Sequence, residues 1–148
     1  MSNYQRTANW LAACGKEHNK QNLSVQIGCH LEEFNEFLAT LDFSSPADDF
    51  QVRNIMHNIK YLSTNLKTGY GAARIRDQQR TDALDALCDC EVTGNGVAYL
   101  AGFNKDAADQ AVLASNEAKL VDGKPVILEG GKIGKPQGWT APDLSQFV

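Results

Sequence analysis

Three glutamates, Glu32, Glu33 and Glu36, lie within a stretch whose pattern predicts a helix over residues 26–41. Apolar side chains recur at spacings of three and four, which predicts that one face of this helix packs on a core. Glu32 and Glu36 are one turn apart and flank that face. Carboxylates crowded towards a core repel one another and lose hydration, so a cation is needed to neutralise them. The apolar face is formed by Leu23, Ile27, Leu31, Phe34, Leu38 and Leu41.

A second acidic stretch carries Asp82, Asp85 and Asp89, whose spacings of three and four place them on one face of a predicted helix. Leu84, Leu87, Cys88 and Val92 accompany them. Two such helices packed face to face would bring their carboxylates together. Oxygen ligands suit Mg²⁺ or Mn²⁺, and no His/Cys cluster with the spacing of a zinc site accompanies them. The sequence therefore predicts a site for a hard divalent cation.

The elements that must position these acids are helical. Ser44 or Ser45 before Pro46 predicts the start of a third helix that ends at Gly69, and residues 106–120 predict a fifth. We expect an all-α bundle of four to five helices in a single domain, residues 1–148. Its helical core spans residues 1–120, and its extended tail spans residues 121–148.

The tail contains three of the four prolines and a Gly-rich alternation. Residues 126–128 and 132–133, joined through Gly130 and Gly131, predict a small β-hairpin. Trp139 and Phe147 indicate an ordered end. In the second acidic helix, Gly94, Gly96 and Gly102 each cost helix stability by roughly 1 kcal/mol relative to alanine. Close approach of another helix is the expected compensation.

The net charge of −4, with no basic stripe, argues against a nucleic-acid binder. The start lacks the pattern of a signal peptide, and no 18-residue apolar run predicts a membrane span. We therefore expect a soluble, cytoplasmic protein. Buried, reduced thiols are the simplest interpretation of the four cysteines, including the Cys88–Cys90 pair, with a disulfide or metal thiolate as the alternative.

Two further groups have both structural and functional interpretations. Trp10 fits a core anchor, and it also fits an aromatic cover for a nucleobase. Arg74, Arg76 and Arg80 form the only arginine cluster; they can neutralise surface acids or reach substrate phosphates. Clustered carboxylates near such cations suggest phosphoryl or nucleotidyl chemistry. The sequence contains neither the GxxxxGK[ST] motif of P-loop nucleotide binders nor the GxSxG motif of hydrolases with a nucleophilic serine.

The run Glu32-Glu33-Phe34-Asn35-Glu36 has the form E-E-x-x-E, and the aspartates at 85 and 89 stand where its companion acidic motif falls. Together they resemble the MazG-like all-α nucleoside triphosphate pyrophosphohydrolases. The stretch SNEAKLVDGKPVILEGGKIGKPQGWTAPDL is similar to the tail of the phosphoribosyl-ATP pyrophosphohydrolase-like, phage-type branch. The resemblance covers about residues 26–144.

The resemblance implies Mg²⁺-dependent hydrolysis of a nucleoside triphosphate between the α- and β-phosphates, giving a monophosphate and pyrophosphate. It implies a homodimer or homotetramer. The residues implied fall into two groups. Catalytic and metal-binding roles go to Glu32, Glu33 and Glu36, with Asp85 and Asp89 as further metal ligands. Substrate contacts go to Ser115, Asn116, Lys119 and Lys135, with Trp10 as the candidate base cover.

One departure from the pattern leaves the aspartate ligand open. The companion motif is commonly E-x-x-D, but the position three before Asp89 is Ala86. Asp85 can replace the missing acid because residues four apart share a helix face, and Asp82 with Asp85 is a competing register. If no aspartate reaches the metal, the protein binds nucleotide without hydrolysing it, as a sensor. The third interpretation is an ordinary bundle whose acids form a solvated face.

Overall fold

The computed structural model describes residues 1–128 and 133–148. Within these residues the chain is all-α, with five helices and a short antiparallel hairpin near the C-terminus, which confirms the predicted fold class. The helices are α1 (Asn3–Ala13), α2 (Lys20–Leu38), α3 (Pro46–Thr68), α4 (Arg80–Leu100) and α5 (Lys105–Glu117). None of the helices in the described part of the chain is long and apolar enough to cross a membrane.

The chain divides into two compact units. The central unit is His18–Asp77 and contains α2 and α3. The terminal unit joins Met1–Glu17 with Gln78–Val148 and contains α1, α4, α5 and the tail. The predicted single-domain organisation stays a prediction.

The ends of α3 follow the sequence signals. The Ser45 side chain accepts a hydrogen bond from the Asp48 backbone N–H, and Pro46 occupies the first turn. Asp48 and Asp49 lie in that turn, where negative charge favours the helix dipole. Gly69 ends the helix with a left-handed φ of 82°, which an L side chain rarely adopts. The predicted boundaries of this helix are confirmed.

The boundaries predicted for α2 were wrong at both ends. The helix begins at Lys20, not at residue 26, because the Asn19 side chain accepts a hydrogen bond from the Asn22 backbone N–H at 2.8 Å. It ends at Leu38, three residues early, where the Thr40 backbone N–H and hydroxyl both donate to the Phe37 carbonyl oxygen. These local bonds tighten the last turn and stop the helix.

The packing of α2 on α3 depends on small residues. Ser24, Gly28 and Ser63 are buried together with Leu66. A Cβ on Gly28 would lie 3.0 Å from the Ser63 carbonyl oxygen and 3.1 Å from Leu66 Cβ. The Ser24 hydroxyl accepts a hydrogen bond from the Ala73 N–H at 3.0 Å, which ties the segment after α3 back to α2. The helices therefore meet closely at Gly28.

This contact corrects the predicted apolar face of α2. Leu23, Phe34 and Leu41 are exposed, whereas Ile27, Leu31 and Leu38 are only half-buried. The face that contacts α3 is rotated towards Ser24 and Gly28, because residues without bulky side chains let two backbones approach. Large apolar residues then lie beside the contact.

In the terminal unit, α1 packs against α5. The Arg6 guanidinium donates from Nε and Nη2 to the two carboxylate oxygens of Glu117 at 2.7 and 2.8 Å. Gln110 bridges the same helices by donating to Asn3 Oδ1 at 2.9 Å. Contacts advance in the same direction along both helices, so α1 and α5 run parallel.

The hairpin differs from the prediction. Strands β1 (Leu120–Val121) and β2 (Lys124–Pro125) pair antiparallel, with Leu120 opposite Pro125. Asp122 and Gly123 between them have φ of 52° and 74°, the positive values that a tight Asp-Gly hairpin turn requires. An isolated bridge joins Ile127 to Ile133. The turn predicted at Gly130 and Gly131 lies outside the described residues, as does Lys132.

The predicted order of the tail is confirmed by two contacts. The Trp139 indole N–H donates to the Ser115 carbonyl oxygen at 2.9 Å. The Asn104 backbone N–H donates to the Phe147 carbonyl oxygen at 2.8 Å, and a 3₁₀ turn at Ser145–Phe147 packs against α5. Both aromatic residues are half-buried.

The helix α4 is exposed over most of its length, contrary to the packed helix that the sequence predicts. It contacts α5, and along its described length Ala98 alone is buried. A Cβ added to Gly94 or Gly96 would meet nothing described within 4 Å, so no described residue of the terminal unit makes the predicted close approach. Gly102 has a φ of 82° and serves the turn after α4.

The close approach at Gly28 predicts the effect of a Cβ there. In Gly28→Ala the new methyl group would press on the Ser63 backbone, which cannot rotate away as a flexible side chain can. We expect a loss of about 1–3 kcal/mol in the free energy of unfolding, measured by urea denaturation. The control His30→Ala, at an exposed position of α2, should change it by less than about 0.5 kcal/mol. Equal effects would contradict the close packing.

The ion pair between α1 and α5 predicts a pH dependence. The Arg6 guanidinium lowers the pKa of the Glu117 carboxyl, chiefly by hydrogen bonding. A carboxyl whose pKa is lowered in the folded state stabilises the fold at pH values above its ordinary pKa. This stabilisation is lost as the pH falls through the lowered pKa. Arg6→Gln should therefore lower the thermal midpoint at pH 7, and the difference from wild type should vanish near about pH 2.

Circular dichroism at both pH values measures the difference. Arg53→Gln is the control, because Arg53 pairs with Asp49 within the single helix α3 and joins no second element. A pH-independent decrease in Arg6→Gln, or an equal decrease in the control at pH 7, would contradict the role of the pair.

Candidate functional site

The first acidic group lies on α2 in the central unit. Glu32 is half-buried at the edge of the contact with α3, and Lys67 Nζ lies 2.5 Å from its Oε1. Lys67 is in the last turn of α3, where a positive charge also favours the helix dipole. The cation that the sequence requires beside Glu32 is therefore supplied in part by the chain itself.

Glu33 and Glu36 lie further from the contact with α3. Both are exposed, and on the helix Glu36 lies between Glu32 and Glu33. Beside them, the Oδ1 atom of Asn35 is buried and has no hydrogen-bond partner among the described residues. Buried polar atoms normally have a hydrogen-bond partner, so the Asn35 amide is a candidate site residue that the sequence analysis did not name.

The second acidic group lies on α4 in the terminal unit. Asp82, Asp85 and Asp89 are exposed and share one face of this continuous helix, as predicted. Within residues 1–128 and 133–148, no three His, Cys, Asp or Glu side chains are grouped to hold a metal ion. The donor chemistry fits Mg²⁺, since all the acids offer oxygen. The convergence of the two acidic groups on one ion stays a prediction.

Four residues of the terminal unit form what we call the tryptophan–lysine cluster: Trp10, Lys119, Lys135 and Trp139. Lys119 Nζ lies 5.9 Å from the ring centroid of Trp10 and 5.3 Å from that of Trp139. Lys135 Nζ lies 4.6 Å from the Trp139 centroid. These distances are typical of cation–π contacts. Two ammonium groups thus share one indole.

The other candidate substrate residues support this cluster. Lys119 Nζ donates to Asn116 Oδ1 at 2.9 Å, which holds the ammonium near α5. The Ser115 carbonyl oxygen accepts the Trp139 indole N–H, so Ser115 contributes its backbone. The structure therefore brings together Trp10, Ser115, Asn116, Lys119 and Lys135, which the sequence proposed from separate segments.

The cluster has unsatisfied donor capacity. Trp10 Nε1 is buried and has no acceptor among the described residues. No ion pair to Lys119 or Lys135 is found in that part of the chain. Two like charges and a buried N–H at one place are stabilised by an oxygen-rich anion, because it accepts from the donors and offsets the charge repulsion.

The end of α1 lies in the same electrostatic environment. Burial raises the pKa of the Cys14 thiol, and the charges of Lys16 and Lys119 oppose that rise. Cys14 is therefore a buried thiol close to the cluster. The prediction that all four cysteines are buried was wrong for Cys88 and Cys90, which are exposed on α4, and Cys29 is only half-buried.

Sequence reasoning used Trp139 only as evidence for an ordered tail. The signal for its role was present, because an aromatic residue in a polar Gly/Pro-rich segment needs something to pack against. The arginine cluster Arg74, Arg76 and Arg80 is exposed.

No family model, curated protein or solved structure matches this chain.

The cluster predicts that Lys119 contributes to the binding of a phosphate-bearing ligand. In Lys119→Gln we expect the affinity for a non-hydrolysable nucleoside triphosphate to fall at least about tenfold, because a charged hydrogen bond contributes about 1.5–3 kcal/mol. Isothermal titration calorimetry measures the affinity. Lys124→Gln, an equal charge change on exposed β2, should bind as wild type does. Equal losses in both variants would indicate a general charge effect instead.

Proposed function

We propose that this chain is a Mg²⁺-dependent nucleoside triphosphate pyrophosphohydrolase, with a deoxynucleotide as the favoured substrate. It would cut between the α- and β-phosphates and release a monophosphate and pyrophosphate. The observation that carries the proposal is the tryptophan–lysine cluster. Residues predicted from separate segments as substrate contacts lie together there, with two cations and a buried N–H that an anion would stabilise.

The cluster suits the two ends of a nucleotide. Lys119 and Lys135 can neutralise phosphate oxygens as point charges. The indoles of Trp10 and Trp139 offer flat apolar surfaces on which a base can stack, because indole faces attract both bases and cations. Such binding would place the phosphate chain by charge and the nucleoside by stacking. The cluster therefore supports a nucleotide as the substrate and does not indicate which base is preferred.

The acids would supply the chemistry of hydrolysis. Mg²⁺, when bound, polarises phosphate oxygens and lowers the pKa of an attacking water. Glu32, Glu33 and Glu36 would hold it with Asp85 or Asp89, and a carboxylate that is not a ligand would accept the proton of the water. Glu36 is exposed, so its carboxylate can be reached from solvent. Lys67 would hold the Glu32 carboxylate in position.

The remaining expectations belong to the same proposal. We propose a cytoplasmic homo-oligomer that acts on nucleotides and on neither nucleic acid nor membrane. The net charge of −4 supports the exclusion of nucleic acid, since phosphate backbones bind surfaces with a basic stripe.

One observation favours a second function, a nucleotide sensor without hydrolysis. The Lys67 ammonium occupies an oxygen of Glu32 that the metal would otherwise use. In addition, Ala86 stands where the companion motif commonly has an acid. If these two departures abolish metal binding, the cluster would still bind the nucleotide.

The two functions predict different products from a panel of nucleoside triphosphates incubated with Mg²⁺. The enzyme gives one pyrophosphate per monophosphate, and Glu33→Gln or Glu36→Gln should lower the rate by at least about 100-fold, the scale of lost acid–base catalysis. Asp85→Asn and Asp89→Asn identify which aspartate takes part. A coupled pyrophosphate assay with chromatography of the nucleotides measures both products.

Asp42→Asn is the control, because Asp42 is an exposed acid just beyond α2 and outside the acidic motif. Its rate should equal that of wild type. Orthophosphate in place of pyrophosphate would show that a different bond is cut. Nucleotide binding without turnover, unchanged in Glu36→Gln, would reject the enzyme and favour the sensor.

A further inference from the structure

The indole of Trp139 contacts both lysines of the tryptophan–lysine cluster. Its ring centroid lies 5.3 Å from Lys119 Nζ and 4.6 Å from Lys135 Nζ. An indole face attracts a cation that lies within about 6 Å of the ring centroid. One aromatic ring therefore holds two ammonium groups that come from different segments, the first just after α5 and the second in the tail.

The Trp139 ring is itself held in place. Its indole N–H donates to the Ser115 carbonyl oxygen at 2.9 Å, which fixes the ring against α5. Its backbone N–H donates to the Pro136 carbonyl oxygen at 3.1 Å. Gly138 has a φ of 81°, the positive value that the third residue of a type II turn requires. This turn brings the Lys135 ammonium back over the ring.

The two lysine side chains gain order from this ring. A lysine carries its charge on a flexible stem, and holding the stem in one place costs conformational entropy. Lys119 Nζ donates to Asn116 Oδ1, and within residues 1–128 and 133–148 neither ammonium forms an ion pair. Contact with the ring offsets part of the repulsion between the two charges, and their remaining N–H donors can still reach an anion.

We propose that Trp139 is a positioning residue, whose ring orders the Lys119 and Lys135 ammonium groups to receive the phosphate chain of a nucleotide. The inference rests on the proposed function and divides the roles of the two indoles. A ring that already contacts two ammonium groups has less surface left for a base, so stacking falls to Trp10. Ordering the lysines in advance raises affinity, because the side chains lose less freedom on binding.

Inorganic tripolyphosphate tests this role, because it carries a phosphate chain without a base. Calorimetric titration without Mg²⁺ keeps the acids from contributing through a metal. In Trp139→Leu we expect the affinity to fall at least about fivefold, since both lysine side chains must then be ordered on binding. Trp139→Phe keeps an aromatic ring and should recover much of the affinity. An unchanged affinity in Trp139→Leu, or an equal loss in Trp139→Phe, would overturn the inference.

Phe147→Leu is the matched control within the same tail. Phe147 is a half-buried aromatic residue in the 3₁₀ turn that packs against α5. This variant should bind tripolyphosphate as wild type does, and circular dichroism should show the same helix content in all three variants. An equal loss of affinity in Phe147→Leu would show that loosening of the tail is sufficient, and it would overturn the role of the Trp139 ring.

The same variants distinguish failure of this inference from failure of the proposed function. If wild type hydrolyses a nucleoside triphosphate but Trp139→Leu binds tripolyphosphate unchanged, the inference fails and the enzyme stands. If the affinities change as expected but wild type with Mg²⁺ releases no pyrophosphate, the enzyme fails and the role of Trp139 in phosphate binding stands. A wild type that binds neither tripolyphosphate nor nucleotide would reject both.

Discussion

The two-pronged hydrogen bonding of Arg6 to Glu117 is the interaction on which the candidate site depends. It fixes α1 beside α5 in one register, because a planar guanidinium and a carboxylate match only in a narrow range of orientations. Trp10 follows one turn beyond Arg6, and Lys119 lies two residues beyond Glu117. The ion pair thus determines which indole meets which ammonium. A shift of one helix turn would separate Trp10 from Lys119 by about 5 Å.

Glycine has two different uses in the helices. Gly28 is buried between α2 and α3, where the absence of a Cβ permits contact with the backbone of Ser63. Gly94 and Gly96 lower the stability of α4 and meet no described neighbour. Glycine therefore permits a close helix contact at Gly28, whereas at Gly94 and Gly96 it only lowers the stability of the helix.

Helix ends that depend on a few neighbouring residues could be predicted from the sequence. The cap at Ser45, the proline that follows it and the stop at Gly69 depend on a few neighbouring residues, and all were predicted. The start of α2 was missed because the capping Asn19 follows a polar stretch that resembles a linker. The Asp122-Gly123 hairpin was missed although Asp-Gly is a strong turn signal, because its strands are only two residues long and show no alternating pattern.

Tertiary choices were harder to predict. Periodicity identifies an apolar face only to within a large angle, so it placed Phe34 inside and could not favour Ser24 and Gly28 over larger residues. The cation–π contacts join α1, the segment just after α5 and the tail, and no spacing rule connects such distant segments. The residues that the resemblance implied as substrate contacts lie near one another in the terminal unit, and their role in substrate binding stays a prediction.

The ion pair of Glu32 with Lys67 changes the physical argument for a metal. The sequence argument was that acids near a core need a cation, but Lys67 already neutralises the one glutamate that lies at the helix contact. Glu33 and Glu36 are exposed, so their carboxylates carry little cost of burial. The case for Mg²⁺ therefore rests on oxygen chemistry and motif spacing, not on buried charge. A metal at Glu32 must share that carboxylate with an ammonium or displace it. Metal binding there would be an exchange of cations, in which the flexible lysine stem would let the Lys67 ammonium move aside.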